Sequence, residues 1–260
     1  MKDITVVKIG GSTFGSRDTT IEDIVSLQEK GYPLVVVHGG GSTVTDWLKR
    51  MGITTRFVRG ERVTDLPSLE VVTAVLAGLV NKEITAAINV KGGRAIGISG
   101  VDGSLIESRM KEKEMGYVGL VEKVNPAVLE ALLKDGFVPV VSPISLYSID
   151  RPEGAPAIMN VNGDPIAGDI AAVLGAKRLI FLTDVDGIKD GSGNPIPRVS
   201  KAEAEGMVTS GVISGGMIPK INACLRALNA GAVARIIDGR KPHALLGEIN
   251  GGDGGTTISK

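Results

Sequence analysis

The chain has 260 residues, enough for one large domain or two lobes around a substantial core. Lysine plus arginine and aspartate plus glutamate number 29 each, and aromatic residues make up 3%, so neither a bulk basic field for nucleic acid or a membrane nor a base-stacking platform is supported. One cysteine, Cys224, excludes an internal disulfide framework; with no early apolar segment before a cleavage site and no run of 18 apolar residues, the expectation is a soluble cytoplasmic protein.

The first element is a buried strand over Ile4–Ile9, interrupted near its end by Lys8 and followed by Gly10-Gly11-Ser12. A helix is predicted from Asp18 to Lys30, with Asp18 or Thr19 as cap and Gly31 as stop. A second apolar strand, Pro33–His38, runs into Gly39-Gly40-Gly41 and a helix from Thr43 to Arg50 or Met51. Strand, glycine loop and helix, repeated, predict a parallel α/β sheet with both glycine loops at its carboxyl edge. Ile53–Val63 reads as a hairpin about Gly60, and Ser68–Val90 as a long helix capped by Thr64 or Asp65, apolar on more than one face and so either deeply buried or paired with a partner chain.

Farther along, Arg94–Ile98 reads as a strand, Leu105–Ser108 and Tyr117–Val124 as a shorter antiparallel pair, Pro126–Lys134 as a helix and Phe137–Val141 as a strand stopped by Pro143. The polar, proline-bearing stretch Ser145–Pro156 marks the expected boundary, giving lobes of residues 1–150 and 151–260. Asn160-Val161-Asn162-Gly163-Asp164 then opens a helix through Leu174, Arg178–Leu182 is a strand running into Thr183-Asp184-Val185-Asp186-Gly187, and Asp190–Asn194 is a turn. Helices over Lys201–Glu205 and Met217–Ala230 and strands over Val233–Ile237 and Thr256–Ser259 complete the reading.

There is no G-x-x-x-x-G-K-[ST], no G-x-G-x-x-G after a strand and no G-x-S-x-G elbow, and His38 and His243 have no partner at zinc spacing, so both read as structural. What remains sits at strand ends. Lys8 beside two glycines, and three glycines before a helix N-terminus, both suit an anion, although a snorkelling lysine and a plain turn are the bland alternatives. Arg62 alone reads as solvated surface. Asn160, Asn162 and Asp164 exceed what one helix cap requires, and Lys220, just after Gly215-Gly216, opposes the helix dipole unless it meets an anion.

Taken together, Lys8–Ser12, His38–Gly41, Gly60–Thr64, Met159–Asp164, Thr183–Gly187 and Gly215–Lys220 resemble, in order and over almost the whole chain, the amino acid kinase family. The Arg62 and Asn160 motifs and Ile236–Arg240 are similar to its acetylglutamate-phosphorylating branch; Gly163, where alanine is common, and a glycine-rich tail over Gly251–Lys260 depart from it. The resemblance implies a three-layer αβα sandwich around a mainly parallel open sheet, in two lobes, the first binding the amino acid and forming a homodimer, the second binding ATP. It implies transfer of the γ-phosphoryl group of ATP, with its Mg2+, to the side-chain carboxylate of N-acetyl-L-glutamate in arginine biosynthesis. On that footing Lys8 and Lys220 flank the transferring group, Asp164 orients both, and the N–H groups of Gly11 and Gly40 bind its oxygens. Gly40, Gly41, Arg62 and Asn160 hold the amino acid. Gly10, Thr183, Asp184, Val185, Asp186, Gly187, Ile188 and Lys189, with Val212, Ile213 and Ser214, meet the nucleotide, and no protein metal ligand is implied.

The rivals are a kinase for α-aminoadipate on an acidic carrier protein in lysine biosynthesis, which would want a basic rim that only Arg56 and Arg59 begin to supply, and a non-catalytic ligand-binding regulator, which would want Lys8, Asp164 or Lys220 missing. A strand that starts by Ile4 leaves no room for the N-terminal helix that links dimers into rings in arginine-inhibited members, so neither a ring nor strong arginine control is expected.

Overall fold

The computed structural model describes residues 3–10 and 19–260. β1 (Thr5–Ile9) and β2 (Leu34–His38) are buried at every position, as unalternating apolar runs require, and α1 (Thr20–Glu29) connects them. Thr19 precedes α1 without a side-chain capping bond, and Asp18, the other expected cap, lies outside the described residues. Gly39 and Gly40 lead into α2 (Gly41–Arg50), and β3 (Phe57–Val58) and β4 (Glu61–Arg62) make the expected hairpin.

A single helical rod then spans Leu66–Val90. It begins as α3 (Leu66–Thr73), two residues before the expected start, because Asp65 accepts from the Ser68 N–H at 2.9 Å and fixes the first turn there. Over Ala74–Val80 it widens into a π-helical segment, then returns to α geometry as α4 (Asn81–Val90). By length and apolarity the rod could cross a membrane (mean hydropathy 1.6 over its most apolar window), but half of that window is buried inside this chain and the rod carries Lys82 and Glu83, which fits a core helix.

The remaining elements are β5 (Ala95–Ser99), β6 (Ile106–Met110), β7 (Gly119–Val124), α5 (Ala127–Lys134), β8 (Val138–Ser142), β9 (Ile144–Tyr147), β10 (Ile158–Asn160), α6 (Gly163–Val173), β11 (Arg178–Thr183), β12 (Arg198–Ser200), α7 (Lys201–Thr209), α8 (Met217–Asn229), β13 (Val233–Asp238), α9 (Ala244–Ile249) and β14 (Thr256–Ser259). Among the described residues the central sheet runs β12-β14-β13-β11-β1-β2-β8-β5, parallel except where β14 meets β13. β1 is central, with Ile9 in register with His38 on one side and Leu182 on the other, so the ends of β1, β2 and β11 open on the same edge. Ligands of open α/β sheets bind outside that edge.

Alternation along β1 decides which way its lysine faces. Val7 and Ile9 pack into the layer of α1, α4 and α9, whereas Val6 packs into the layer that contains α5, α6 and α8. Lys8 shares the face of Val6 and therefore projects toward α6 and α8. The two layers and the sheet form the three-layer αβα sandwich.

A second sheet, β10-β9-β6-β7, contains the antiparallel β6–β7 pair foreseen in the sequence. β9 and β10 flank the expected lobe boundary and pair with each other, so residues 158–160 associate with strands of the first half, and the central sheet crosses between the halves without a break. β14 enters between β12 and β13, and its Thr256 hydroxyl donates to the Ile196 carbonyl at 2.6 Å and accepts from the Ile188 N–H at 2.8 Å. Gly187 comes so close that a Cβ there would lie 2.5 Å from the Thr256 hydroxyl.

Candidate active site

Asp164 is the second residue of α6, where an acid suits the positive end of the helix dipole, and Asn162 caps the helix by accepting from the Asp164 N–H at 2.9 Å. Its side chain is almost wholly buried, and both oxygens face cations. Lys8 Nζ lies 2.6 Å from Oδ1, and Lys220 Nζ, from the first turn of α8, donates to Oδ2 at 2.9 Å. Burial pushes the Asp164 carboxyl upward, but the charges of Lys8 and Lys220 outweigh it and hold the group below its ordinary value. Two ammonium groups from opposite halves of the chain thus converge on one carboxylate and leave a net positive charge. At Gly163 an added Cβ would sit 3.1 Å from the His38 carbonyl oxygen and 3.7 Å from Lys8 Cε, which places this departure from the family pattern directly against the lysine stem.

Lys8 lines a cavity of about 210 Å³ together with Gly39, Gly40, Gly41, Arg62, Asn160 and Asn162. The Gly39 N–H donates to the Ile9 carbonyl at 3.0 Å, but the N–H groups of Gly40 and Gly41 have no acceptor among the described residues. Gly40 takes φ 146°, and a Cβ there would lie 2.7 Å from Leu76 Cδ2 of the π-helical turn, so the position requires glycine.

Arg62 is the sharpest departure from its bland reading as surface. It is 9% exposed. Its guanidinium donates to the Gly41 carbonyl at 3.0 Å, to Thr45 Oγ1 at 2.8 Å and to Thr55 Oγ1 at 3.3 Å, and it stacks 4.9 Å from the Phe57 ring. All those acceptors are neutral; among the described residues no carboxylate reaches it, and burial lowers its pKa. A buried guanidinium beside a cavity, with no carboxylate partner among the described residues, has the charge and fork geometry to take up a carboxylate. Asn160 joins it through Thr64, whose hydroxyl receives the Asn160 amide at 3.1 Å and donates to the Arg62 carbonyl at 3.2 Å. Thr45 and Thr55 were not singled out in the sequence, and Thr64 only as the end of the Arg62 motif and a candidate helix cap, a part that Asp65 takes instead; threonines carry little signal there until the hairpin is folded against α2.

Lys220 lines neither this cavity nor the larger neighbouring groove of about 780 Å³, but Gly215, Ile218 and Pro219 around it line the groove. The groove's charged rim is largely self-paired: Arg59 reaches Glu112 and Glu114, and Lys111 reaches Glu61. Of the residues expected to meet nucleotide, Asp184, Val185, Asp186, Lys189, Val212 and Ser214 are exposed past the ends of β11 and α7. Thr183 donates to the Val185 and Ile237 carbonyls, and Ile188 and Ile213 are buried in the core, so those three can offer a ligand chiefly backbone. Gly10 donates its N–H to the Leu182 carbonyl at 3.1 Å, and Gly11 lies outside the described residues. None of these residues lines either cavity.

A parallel sheet that presents two lysines, their bridging carboxylate and an open helix N-terminus at one edge is equipped to hold a phosphoryl group between anions. The sequence model of the amino acid kinase family matches residues 3–238, and the chain belongs to that family. It is 51% identical over 255 residues to an acetylglutamate kinase of Dehalococcoides mccartyi, covering 98% of this chain and 94% of the relative. Among solved structures, an N-acetylglutamate synthase of Neisseria gonorrhoeae in complex with coenzyme A and N-acetyl-glutamate superposes with a TM-score of 0.83 at 26% identity, over 99% of this chain and 59% of that one. A carbamate kinase of Giardia lamblia shares the fold, with a TM-score of 0.71 at 15% identity over 99% of this chain and 98% of that one.

Proposed function

We propose that this chain phosphorylates the side-chain carboxylate of N-acetyl-L-glutamate at the expense of ATP, releasing ADP and the acyl phosphate, as a step of arginine biosynthesis. The near-full-length similarity to acetylglutamate kinases supports this activity. One observation carries the mechanism: Lys8 and Lys220 meet on Asp164. The acceptor carboxylate, with an ordinary pKa of about 4.3, is already ionised at neutral pH, so its oxygen attacks phosphorus, the bond to the ADP oxygen breaks, and no general base is needed. The difficulty is bringing an anion to a polyanion, and the two ammonium groups lower it by neutralising the transferring group from either side. Asp164 holds them in place without reacting. Gly40 offers a phosphoryl oxygen an N–H that has no acceptor among the described residues, Arg62 pairs with the substrate α-carboxylate, and Asn160 binds the amino-acid end.

Both Asp164 oxygens are engaged by lysines, and in this reading Mg2+ arrives with ATP and keeps phosphate and water as ligands. In this reading nucleotide covers the second lobe beside Thr183–Lys189 and Val212–Ser214, and amino acid the first. Copies pair through the side of the Leu66–Val90 rod left exposed at Glu70, Ala74 and Gly78, and the enzyme works in the cytoplasm. The self-paired rim supports a small free acid over a carrier-bound one, since an acidic carrier needs cations to spare. The test is ATP consumption with N-acetylglutamate, aspartate, glutamate and carbamate in parallel, with hydroxylamine trapping of the acyl phosphate. Turnover confined to N-acetylglutamate is expected; turnover of another acid, or none, refutes the assignment.

A further inference from the structure

We propose that His38 and Asn81 are positioning residues for phosphoryl transfer: the imidazole, set in one tautomer by Asn81, fixes the Gly39–Gly40 peptide and so directs the Gly40 N–H. The inference rests on the reading of Gly40 as a phosphoryl ligand.

The tautomer follows from the partners. Asn81 Nδ2 lies 2.8 Å from the Val140 carbonyl and 3.3 Å from that of Ile98, while its Oδ1 accepts from Lys82 at 3.1 Å, so the amide cannot be reversed without placing oxygen against two carbonyls. The same Nδ2 lies 3.2 Å from His38 Nε2, which must accept. The ring hydrogen is therefore on Nδ1, which donates to the Gly39 carbonyl at 2.7 Å. His38 is fully buried, and burial pushes its pKa down to about 4, with Lys8 and Lys82 adding to the shift, so the ring is neutral at physiological pH.

The peptide plane transmits the effect. In a trans peptide the C=O of one residue and the N–H of the next point in opposite directions. With the Gly39 carbonyl held by the imidazole, the Gly40 N–H must point away from it, and it is this N–H that has no acceptor among the described residues. The π-helical turn Ala74–Val80 closes the arrangement, because its Leu76 abuts Gly40 and its end delivers Asn81 beneath the ring. π turns of this kind recur at functional sites.

The test compares two variants of similar size. His38→Asn places an amide nitrogen where Nδ1 was and keeps the bond to Gly39; His38→Gln places its amide where Nε2 was and keeps Asn81 but leaves the Gly39 carbonyl without its donor. Both should lose a comparable amount of thermal stability. His38→Gln should lose about 100-fold in kcat, the scale of one lost transition-state donor, with KM for N-acetylglutamate changed less than about threefold, while His38→Asn keeps kcat within about fivefold. Equal kcat in the two variants overturns the inference. Nitrogen-15 NMR of the imidazole in the wild-type enzyme needs no variant to fold: the Nδ1–H tautomer supports the inference and the Nε2–H tautomer refutes it. Lys8→Ala, assayed alongside, separates the two levels: full activity there refutes the phosphoryl site itself, whereas a crippled Lys8→Ala beside indistinguishable His38 variants removes only the role of His38.

Discussion

Replacing Asp164 by asparagine keeps its shape and removes the one negative charge between two ammonium groups. Lys8 lies 2.6 Å away with its side chain 10% exposed, and Lys220 lies 2.9 Å away with its side chain 20% exposed. Removing one partner of a buried pair costs about 3–5 kcal/mol. Both lysines lie beside openings through which water and anions reach them, which favours the lower figure, about 3 kcal/mol. If the same loss of orientation is felt in the transition state, about 3 kcal/mol corresponds to a fall in kcat of about 100-fold. The sign of the pH dependence is also fixed. The native carboxyl titrates below its ordinary value, so its contribution to stability is present above about pH 4 and is lost as pH falls through the lower native value. Urea denaturation at neutral and acid pH, with and without MgATP, measures the stability effects, and steady-state kinetics measures the fall in kcat. Asp164→Asn should be destabilised at neutral pH, should lose part of the wild-type acid dependence, and should recover part of the gap when nucleotide phosphates replace the missing charge. A variant within about 1 kcal/mol of wild type in stability and within about threefold in kcat refutes the reasoning.

Lys8→Ala and Lys220→Ala should each lower kcat by at least about 100-fold with much smaller changes in KM, because their contribution is made to the transferring group; steady-state kinetics in both substrates checks this. Arg62→Ala should act chiefly on KM for N-acetylglutamate, and Arg62→Lys should not restore it, since a single ammonium cannot reproduce the planar fork; a kcat defect equal to that of Lys8→Ala would contradict the assigned role. His243 is bonded at 2.7 Å to buried Asp23, and the hydrogen bond and charge of Asp23 raise the histidine pKa. That contribution is complete below about pH 6.5 and disappears as pH rises through the raised value, so His243→Asn should flatten the wild-type decline of the urea midpoint over that window.

What was legible in the sequence were features whose cause is local. β2 and β11 are apolar, largely β-branched or aliphatic runs ending in glycine or polar loops, β1 is broken only by Lys8 and β13 only by Arg235, and a charge at the mouth of such a strand already marks Lys8. The convergence of Lys8, Asp164 and Lys220 came only from resemblance, because 156 residues separate the first from the second and 56 the second from the third. β9 and β10 were hidden because they are four and three residues long and flank a polar, proline-bearing stretch that reads as a boundary. α9, six residues behind a left-handed His243, carries no capping pattern. The partner of His38 lies 43 residues away, so their contact leaves no periodic trace.

The threading of β14 has a consequence for biogenesis. The stretch Asp184–Lys189 is synthesised long before Thr256, yet the Thr256 hydroxyl accepts from the Ile188 N–H and abuts Gly187. A nascent chain can assemble β1, β2 and β11 while the Asp184–Lys189 loop still lacks its fastener. The Asp184–Lys189 loop should therefore gain protease resistance later in translation than the ends of β1 and β2.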